Sequence, residues 1–165
     1  MKVGIISDSH DNVTSVNAAV KIFNSENVEA IIHCGDFVAP FSLLPFMDLD
    51  CGEFYAVFGN NDGEKAGLKK VASDNGWQIS SGPFEFELGG RKVVAMHEPY
   101  HLESVIAKKP DIALYGHTHR FDNRMEGGTL VLNPGEAGGW VTGKRTVAIV
   151  DLSLLEVSVM EINGI

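Results

Sequence analysis

Apolar residues in this chain come in short runs, each closed by a polar or glycine-rich turn. Lys2 to Ile6 is the first strand candidate. From about Asn12 to Ser25, Val13, Val16, Val20 and Phe23 recur at spacings of 3, 4 and 3, which is one helical face. Asp11 or Asn12 supplies the cap. Ala30 to His33 is short and apolar, the habit of a buried parallel strand. Pro40 opens a short helix through Phe46, Phe54 to Phe58 is a third strand, and Lys65 to Asp74 is a helix stopped by Gly76.

The pattern then changes. Phe84, Phe86 and Leu88 alternate with Glu85 and Glu87, a half-buried strand, and Gly89-Gly90 turns it back into Lys92 to Met96. A short helix around Leu102 to Lys108 precedes a strand at Ile112 to Tyr115. Further strands are predicted at Arg124 to Glu126, at Leu130 to Leu132 beyond a Gly127-Gly128 turn, at Thr146 to Val150 and at Glu156 to Ile162. A βαβα half followed by a mostly antiparallel half predicts two packed sheets flanked by helices, an α/β sandwich.

No linker, repeat or low-complexity run interrupts the 165 residues, so one domain over 1–165 is expected. A hydrophobic content of 44% excludes a disordered chain. Acidic residues outnumber basic ones 22 to 13, for a formal charge of −9. That balance argues against non-specific binding to nucleic acid or an anionic membrane. Cys34 and Cys51 make neither a CxxC motif nor a disulfide framework and read as buried small hydrophobes in a reducing compartment. The run from Val3 to Ile6 is too short for a secretory leader, and nothing approaches the ~18 apolar residues of a membrane helix. A soluble, cytoplasmic protein is expected. Exposed strand edges and apolar loops leave room for a homo-oligomer.

The strand ends carry the chemistry. The first is followed by Asp8-Ser9-His10, the second by Gly35-Asp36, and the third by Gly59-Asn60-Asn61-Asp62. Lys92 to Met96 ends in His97, and Ile112 to Tyr115 in Gly116-His117-Thr118-His119. Ligands of open α/β sheets bind outside the carboxyl ends of strands, so these residues are expected on one rim. Imidazole and carboxylate together suit borderline divalent ions. Asp8, His10, Asp36, Asn60, His97, His117 and His119 exceed one tetrahedral site and include no thiolate, which counts against structural zinc. They suit two ions sharing one carboxylate, the usual device for displacement at phosphorus. Two divalent ions set against Asp8, Asp36 and one hydroxide leave a local charge of about +1. An acidic protein would then hold a positive pocket for an anionic ester.

In this order the five blocks resemble those of the calcineurin-like metallophosphoesterases. The chain's length and its Asn133-Pro134-Gly135 loop resemble the small bacterial and archaeal phosphodiesterase branch. The resemblance implies a four-layer αββα sandwich of two mixed sheets flanked by helices. It implies that Asp8, His10, Asp36 and His119 hold one ion, and that Asp36, Asn60, His97 and His117 hold the other, with Asp36 bridging. Asp36 and His97 thereby count among the catalytic residues, and a metal-bridging hydroxide is the implied nucleophile. Mn²⁺ is the first expectation, with Ni²⁺, Fe²⁺ or Zn²⁺ as alternatives.

Three positions depart from the pattern. Family members often carry histidine where Asn61 stands, to protonate a leaving group or bind phosphate. Asn61 is no general acid, which favours activated leaving groups; as a catalytic residue it is expected to hydrogen-bond a phosphoryl oxygen. Glu98 replaces a common glycine, and Glu136 stands where many relatives have serine; neither has an assigned role. Glu98, Tyr100 and His101 are candidate substrate contacts, and Asp62 a candidate for orienting a ligand histidine. His33 is expected as a hydrogen-bonded core residue, Trp77 and Trp140 as packing anchors, and Lys69-Lys70 and Lys108-Lys109 as solvated faces.

The expected activity is therefore a dinuclear metal-dependent phosphodiesterase hydrolysing a small or activated phosphodiester. Its alternatives are a phosphomonoesterase or nucleotide phosphatase on the same site, and a non-catalytic scaffold like the retromer subunit of this fold. A nuclease ranks lower, because no basic groove tracks a phosphate backbone.

Overall fold

The computed structural model describes residues 1–163. In chain order its elements are β1 (Lys2–Ile6), α1 (Val13–Ser25), β2 (Ala30–His33), a 3₁₀ helix (Pro40–Asp48), β3 (Glu53–Val57), α2 (Lys65–Asp74), β4 (Gln78–Ser80), β5 (Phe84–Leu88) and β6 (Arg91–Ala95). A 3₁₀ turn (Pro99–His101) then leads into α3 (Leu102–Ala107), β7 (Ile112–Leu114), β8 (Phe121–Glu126), β9 (Thr129–Pro134), β10 (Thr146–Asp151) and β11 (Glu156–Glu161). The first sheet has the order β11-β10-β1-β2-β3-β4, and the second β5-β6-β7-β9-β8.

Three apolar layers hold four structural layers together. Val3, Ile5 and Ile32 of the first sheet meet Val93, Leu114 and Leu132 of the second in the central interior. The other face of the first sheet packs Ile31 and Phe54 against Val16, Val20 and Phe23 of α1, Leu68 of α2 and Phe46 of the 3₁₀ helix. The outer face of the second sheet packs Val94, Ala113 and Val131 against Val105 of α3. Strand residues alternate between the two faces because successive side chains point oppositely. The arrangement is the expected αββα sandwich of two mixed sheets.

Several local expectations change. The second half is less antiparallel than its hairpins suggested: β6 pairs with β7, and β7 with β9, in parallel. The hairpins β5–β6 and β8–β9 supply the antiparallel edges. Pro45 lies inside the segment from Pro40 and removes a helical donor, so the chain winds as a 3₁₀ helix through Asp48. Its three-residue turn leaves Phe41, Leu44 and Met47 on the outer face, 51%, 50% and 56% exposed. The third strand runs one residue earlier than expected. The three-residue β4 has no pattern of its own and exists through parallel pairing with β3. Asn12, not Asp11, caps α1: its Oδ1 accepts from the Ser15 amide at 3.1 Å. Trp77 stacks on Phe54 at 4.7 Å as an anchor. Trp140 is no anchor, being 67% exposed. Cys34 is buried, but Cys51 only half so. Among the described residues no helix is long and apolar enough to cross a membrane.

Candidate metal centre

β1, β2 and β3 are parallel neighbours in one sheet, and β6 and β7 in the other. Their carboxyl ends therefore open on the same rim, and the loops there are stitched by backbone bonds. The amides of Asp8, His10 and Asp11 donate to the carbonyls of Gly35, Asp36 and Phe37, each at 3.0 Å. Within the second sheet the Gly116 amide donates to the His97 carbonyl at 3.0 Å, and across the sheets the Ala137 amide donates to the Ser7 carbonyl at 2.9 Å.

This stitching gathers seven side chains. His97 Nε2 lies 3.3 Å from Asp36 Oδ2 and 2.9 Å from Asn60 Oδ1. Asn60 Oδ1 is also 3.0 Å from His117 Nδ1. His10 Nε2 lies 3.5 Å from Asp36 Oδ2 and 3.9 Å from Asp8 Oδ1, and His119 Nε2 is 3.5 Å from that same Asp8 oxygen. The rings of His10 and His119 stack at 5.2 Å. Asp36 thus stands between a His10–Asp8–His119 group and a His97–Asn60–His117 group.

The surrounding residues fix these ligand candidates. Asp62 Oδ2 accepts from the amides of Asp36 (3.1 Å) and Gly59 (2.7 Å), and its Oδ1 from Val38 (2.7 Å). It therefore clamps two loops together and does not orient a histidine. That task falls to other acceptors: the Cys34 carbonyl on His97 Nδ1 at 2.8 Å, and buried Glu136 on His119 Nδ1 at 2.9 Å. Asn133 donates to the Gly116 carbonyl and the Thr118 hydroxyl, holding the turn between the last two histidines' strand and loop. Glu136 and Asn133 had no assignment from sequence. Their signal was weak: two polar residues flanking Pro134-Gly135 in an apolar stretch. Asn61 places its amide on Asp36, with Nδ2 2.8 Å from Oδ2 and its backbone N 2.8 Å from Oδ1. Buried His33 accepts from the Gly35 amide at Nδ1, which leaves Nε2 to donate to Ser9 Oγ at 3.3 Å.

Burial raises a carboxyl pKa, yet the hydrogen bond and charge of His97 and the donors of Asn61 hold Asp36 far below the usual range. Burial lowers the His97 imidazole, but the bond to Asp36 outweighs it and the net direction is up. Asp8 is raised by burial, against the Ser7 hydroxyl, which donates to it at 2.6 Å. Burial keeps His33 neutral, well below an ordinary imidazole.

The donor set fits divalent ions. One nitrogen or oxygen from each of Asp8, His10 and His119 lie within 4.8 Å of one another, as do those of Asp8, Asp36 and His97. Two bonds of about 2.1 Å from one ion put their donors roughly 3–4 Å apart, the range of the separations above. Among the described residues, His10 Nε2 is the only buried side-chain nitrogen or oxygen without a hydrogen-bond partner. Such an orphan is costly unless something else binds it. Beside the cluster, Phe58, Met96, His97, Glu98, Tyr100 and His101 line a pocket of about 100 Å³. Tyr100 is 75% exposed, and its ring centre lies 6.3 Å from that of His117.

A sandwich of two mixed sheets with carboxylates, imidazoles and an amide at the ends of its parallel strands is the arrangement expected of a metallophosphoesterase. Residues 1–154 match the model of the calcineurin-like phosphoesterase superfamily domain. The chain belongs to that superfamily and is a phosphoesterase. It is 39% identical over 155 residues to phosphodiesterase MJ0936 of Methanocaldococcus jannaschii, covering 92% of this chain and 93% of the relative. A solved structure described as a novel archaeal phosphodiesterase superposes with a TM-score of 0.92 at 38% identity, covering 98% of this chain and 99% of the other. Vps29 of Entamoeba histolytica complexed with Zn²⁺ has the same fold, with a TM-score of 0.70 at 16% identity over 99% and 100% of the two chains.

Proposed function

We propose that the protein hydrolyses a small or activated phosphodiester at a centre of two divalent ions, Mn²⁺ first among them. Asp8, His10, Asp36 and His119 would hold one ion; Asp36, Asn60, His97 and His117 would hold the other. The observation that carries this reading is the partnerless His10 Nε2, buried between two carboxylates at the meeting point of five strand-end loops. The diester preference is supported by Asn61, which has no proton to give a poor leaving group, and by the archaeal relative described as a phosphodiesterase.

When bound, the ions supply Lewis acidity and activate water. The protein's own part is positioning. Asp36 lies between the two groups of nitrogen ligands, and its ionised state is favoured by His97 and Asn61. The Cys34 carbonyl and Glu136 orient His97 and His119. The second Nδ2 hydrogen of Asn61, beyond its bond to Asp36, is the donor assigned to a phosphoryl oxygen. Glu98, Tyr100 and His101 line the pocket assigned to an ester substituent. Two free cysteines fit a reducing cytoplasm, and the acidic balance fits a small substrate in preference to nucleic acid.

The test is hydrolysis of bis-p-nitrophenyl phosphate beside p-nitrophenyl phosphate by metal-stripped protein with Mn²⁺, Ni²⁺, Zn²⁺ or Mg²⁺ restored. Metal-dependent diester cleavage that His117→Ala abolishes is expected. Monoester preference would overturn the role given to Asn61, and no turnover despite two bound ions would overturn the enzymatic reading of the site.

A further inference from the structure

Two features beside the metal centre have no part in ligation: buried Glu136 and exposed Trp140. They belong to one device. Glu136 Oε2 accepts from His119 Nδ1 at 2.9 Å and from the Trp140 amide at 3.1 Å. The Val141 amide reaches both carboxylate oxygens at 3.2 Å. Oε1 accepts from the Thr142 amide and, at 2.6 Å, from the Thr142 hydroxyl. One imidazole, three successive backbone amides and a hydroxyl thus converge on a single side chain. The loop after Ala137 is wound around the carboxylate that orients a ligand candidate.

That winding decides where Trp140 goes. Its indole Nε1 donates to the His10 carbonyl at 3.3 Å. The neighbouring Gly138 amide donates to the Asp8 carbonyl at 2.9 Å, and its carbonyl accepts from Asn12 Nδ2 at 2.8 Å. The indole is therefore tied to the His10 backbone by one hydrogen bond, on a loop that Asp8 and Asn12 hold at the His10–His119 side of the centre, yet most of the ring faces solvent. A ring fixed in place but not packed is suited to covering something else. Planar groups stack on such rings with little regard to their hydrogen-bonding edges.

We propose that Trp140 is a specificity-determining residue that stacks on a planar aromatic substituent of the phosphodiester, an aryl ring or a nucleobase. Glu136 is the positioning residue that ties this ring to the ligand His119. The proposal rests on the phosphodiesterase reading above and specifies one arm of its substrate.

The experiment compares bis-p-nitrophenyl phosphate with ethyl p-nitrophenyl phosphate, which share a leaving group and differ in the other arm. Trp140→Ala should lower the ratio of their kcat/KM values about tenfold, since stacking one ring is worth roughly 1–3 kcal/mol. Glu136→Gln should lower the same ratio and also weaken Zn²⁺ binding by about tenfold or more, as loss of a ligand's supporting partner does. A second readout needs no turnover. In a Trp77→Phe background loaded with Zn²⁺, diphenyl phosphate should quench Trp140 fluorescence and diethyl phosphate should not. An unchanged ratio in Trp140→Ala, or equal quenching by both esters, overturns the aromatic subsite. A lowered ratio in Glu136→Gln with undiminished Zn²⁺ affinity overturns the tie to His119. Should Glu136→Gln fail to fold, Thr142→Val removes the hydroxyl's bonds to Glu136 and to the Lys144 backbone while keeping the carboxylate, and should lower the ratio about two- to threefold; no change there overturns the positioning role. If the parent protein cleaves neither diester, the phosphodiesterase reading fails, while the quenching arm still decides whether Trp140 binds a planar ring.

Discussion

Asp8, His10, Asp36, His117 and His119 all lie in left-handed backbone, with φ between 43° and 66°. For residues other than glycine this conformation costs roughly 1–3 kcal/mol each and persists only where the surroundings over-determine it. Asp62 is one such determinant. Asp62→Asn turns an NH₂ against at least one of the three amides its carboxylate now accepts. It should lower unfolding free energy by about 1–3 kcal/mol in urea titration. The glycines before the ligand candidates are determinants of another kind. A Cβ on Gly59 would fall within 2.5 Å of the Asp36 amide and against its carboxylate, and one on Gly116 within 2.9 Å of Asp8 Oδ2. Gly59→Ala should therefore displace Asp36 and weaken Mn²⁺ binding by roughly tenfold or more in calorimetric titration.

At the scale of elements, α1 and the 137–142 loop share a residue. Asn12 caps the helix with Oδ1 and holds the Gly138 carbonyl with Nδ2. Asn12→Ala should cost about 1 kcal/mol through the lost cap, read as a shifted urea midpoint with unchanged slope. The first sheet also sets the fate of its cysteine. Cys34 follows β2 inside the central interior, and burial pushes its thiol above the ordinary range. The folded thiol stays neutral while the unfolded one ionises near pH 8.5. The stability tied to it is thus fully present below that pH and is lost progressively as pH rises from there toward the raised pKa of the folded thiol. Unfolding free energy should fall with rising pH in that range, with a slope that Cys34→Ala flattens. A thiol reagent should modify half-buried Cys51 in the folded protein and Cys34 only on unfolding.

For the molecule as a unit, the ligand candidates come from five loops joined only through the packing of two sheets. An ion that binds the folded centre and not the open chain stabilises all of it by linkage, by about 2.7 kcal/mol at a hundredfold excess over Kd. In a chain of this size that corresponds to roughly 5–10 °C. Mn²⁺ added to metal-stripped protein should raise Tm by that amount in a thermal melt, and His117→Ala should show a smaller rise. The absence of any difference would mean that no ion is held by this set.

The alternation of apolar runs and polar ends determined most of the architecture, because a period of two or of 3.6 is a local property of the chain. It located all strands but β4 and all helical segments but the 3₁₀ turn at Pro99–His101, and it placed Asp8, His10, Asp36, Asn60, His97, His117 and His119 at strand ends. Parallel pairing in the second sheet was hidden, since a hairpin leaves the same local trace whatever strand lies beyond it. The 3₁₀ winding of Pro40–Asp48 depended on Pro45 within a packed layer. The roles of Glu136, Asn133 and Asp62 were equally out of reach. A carboxylate that gathers donors from residues 119 and 140–142 has no spacing to betray it. Only folding brings those donors within 3.2 Å, and only burial makes each of those bonds necessary.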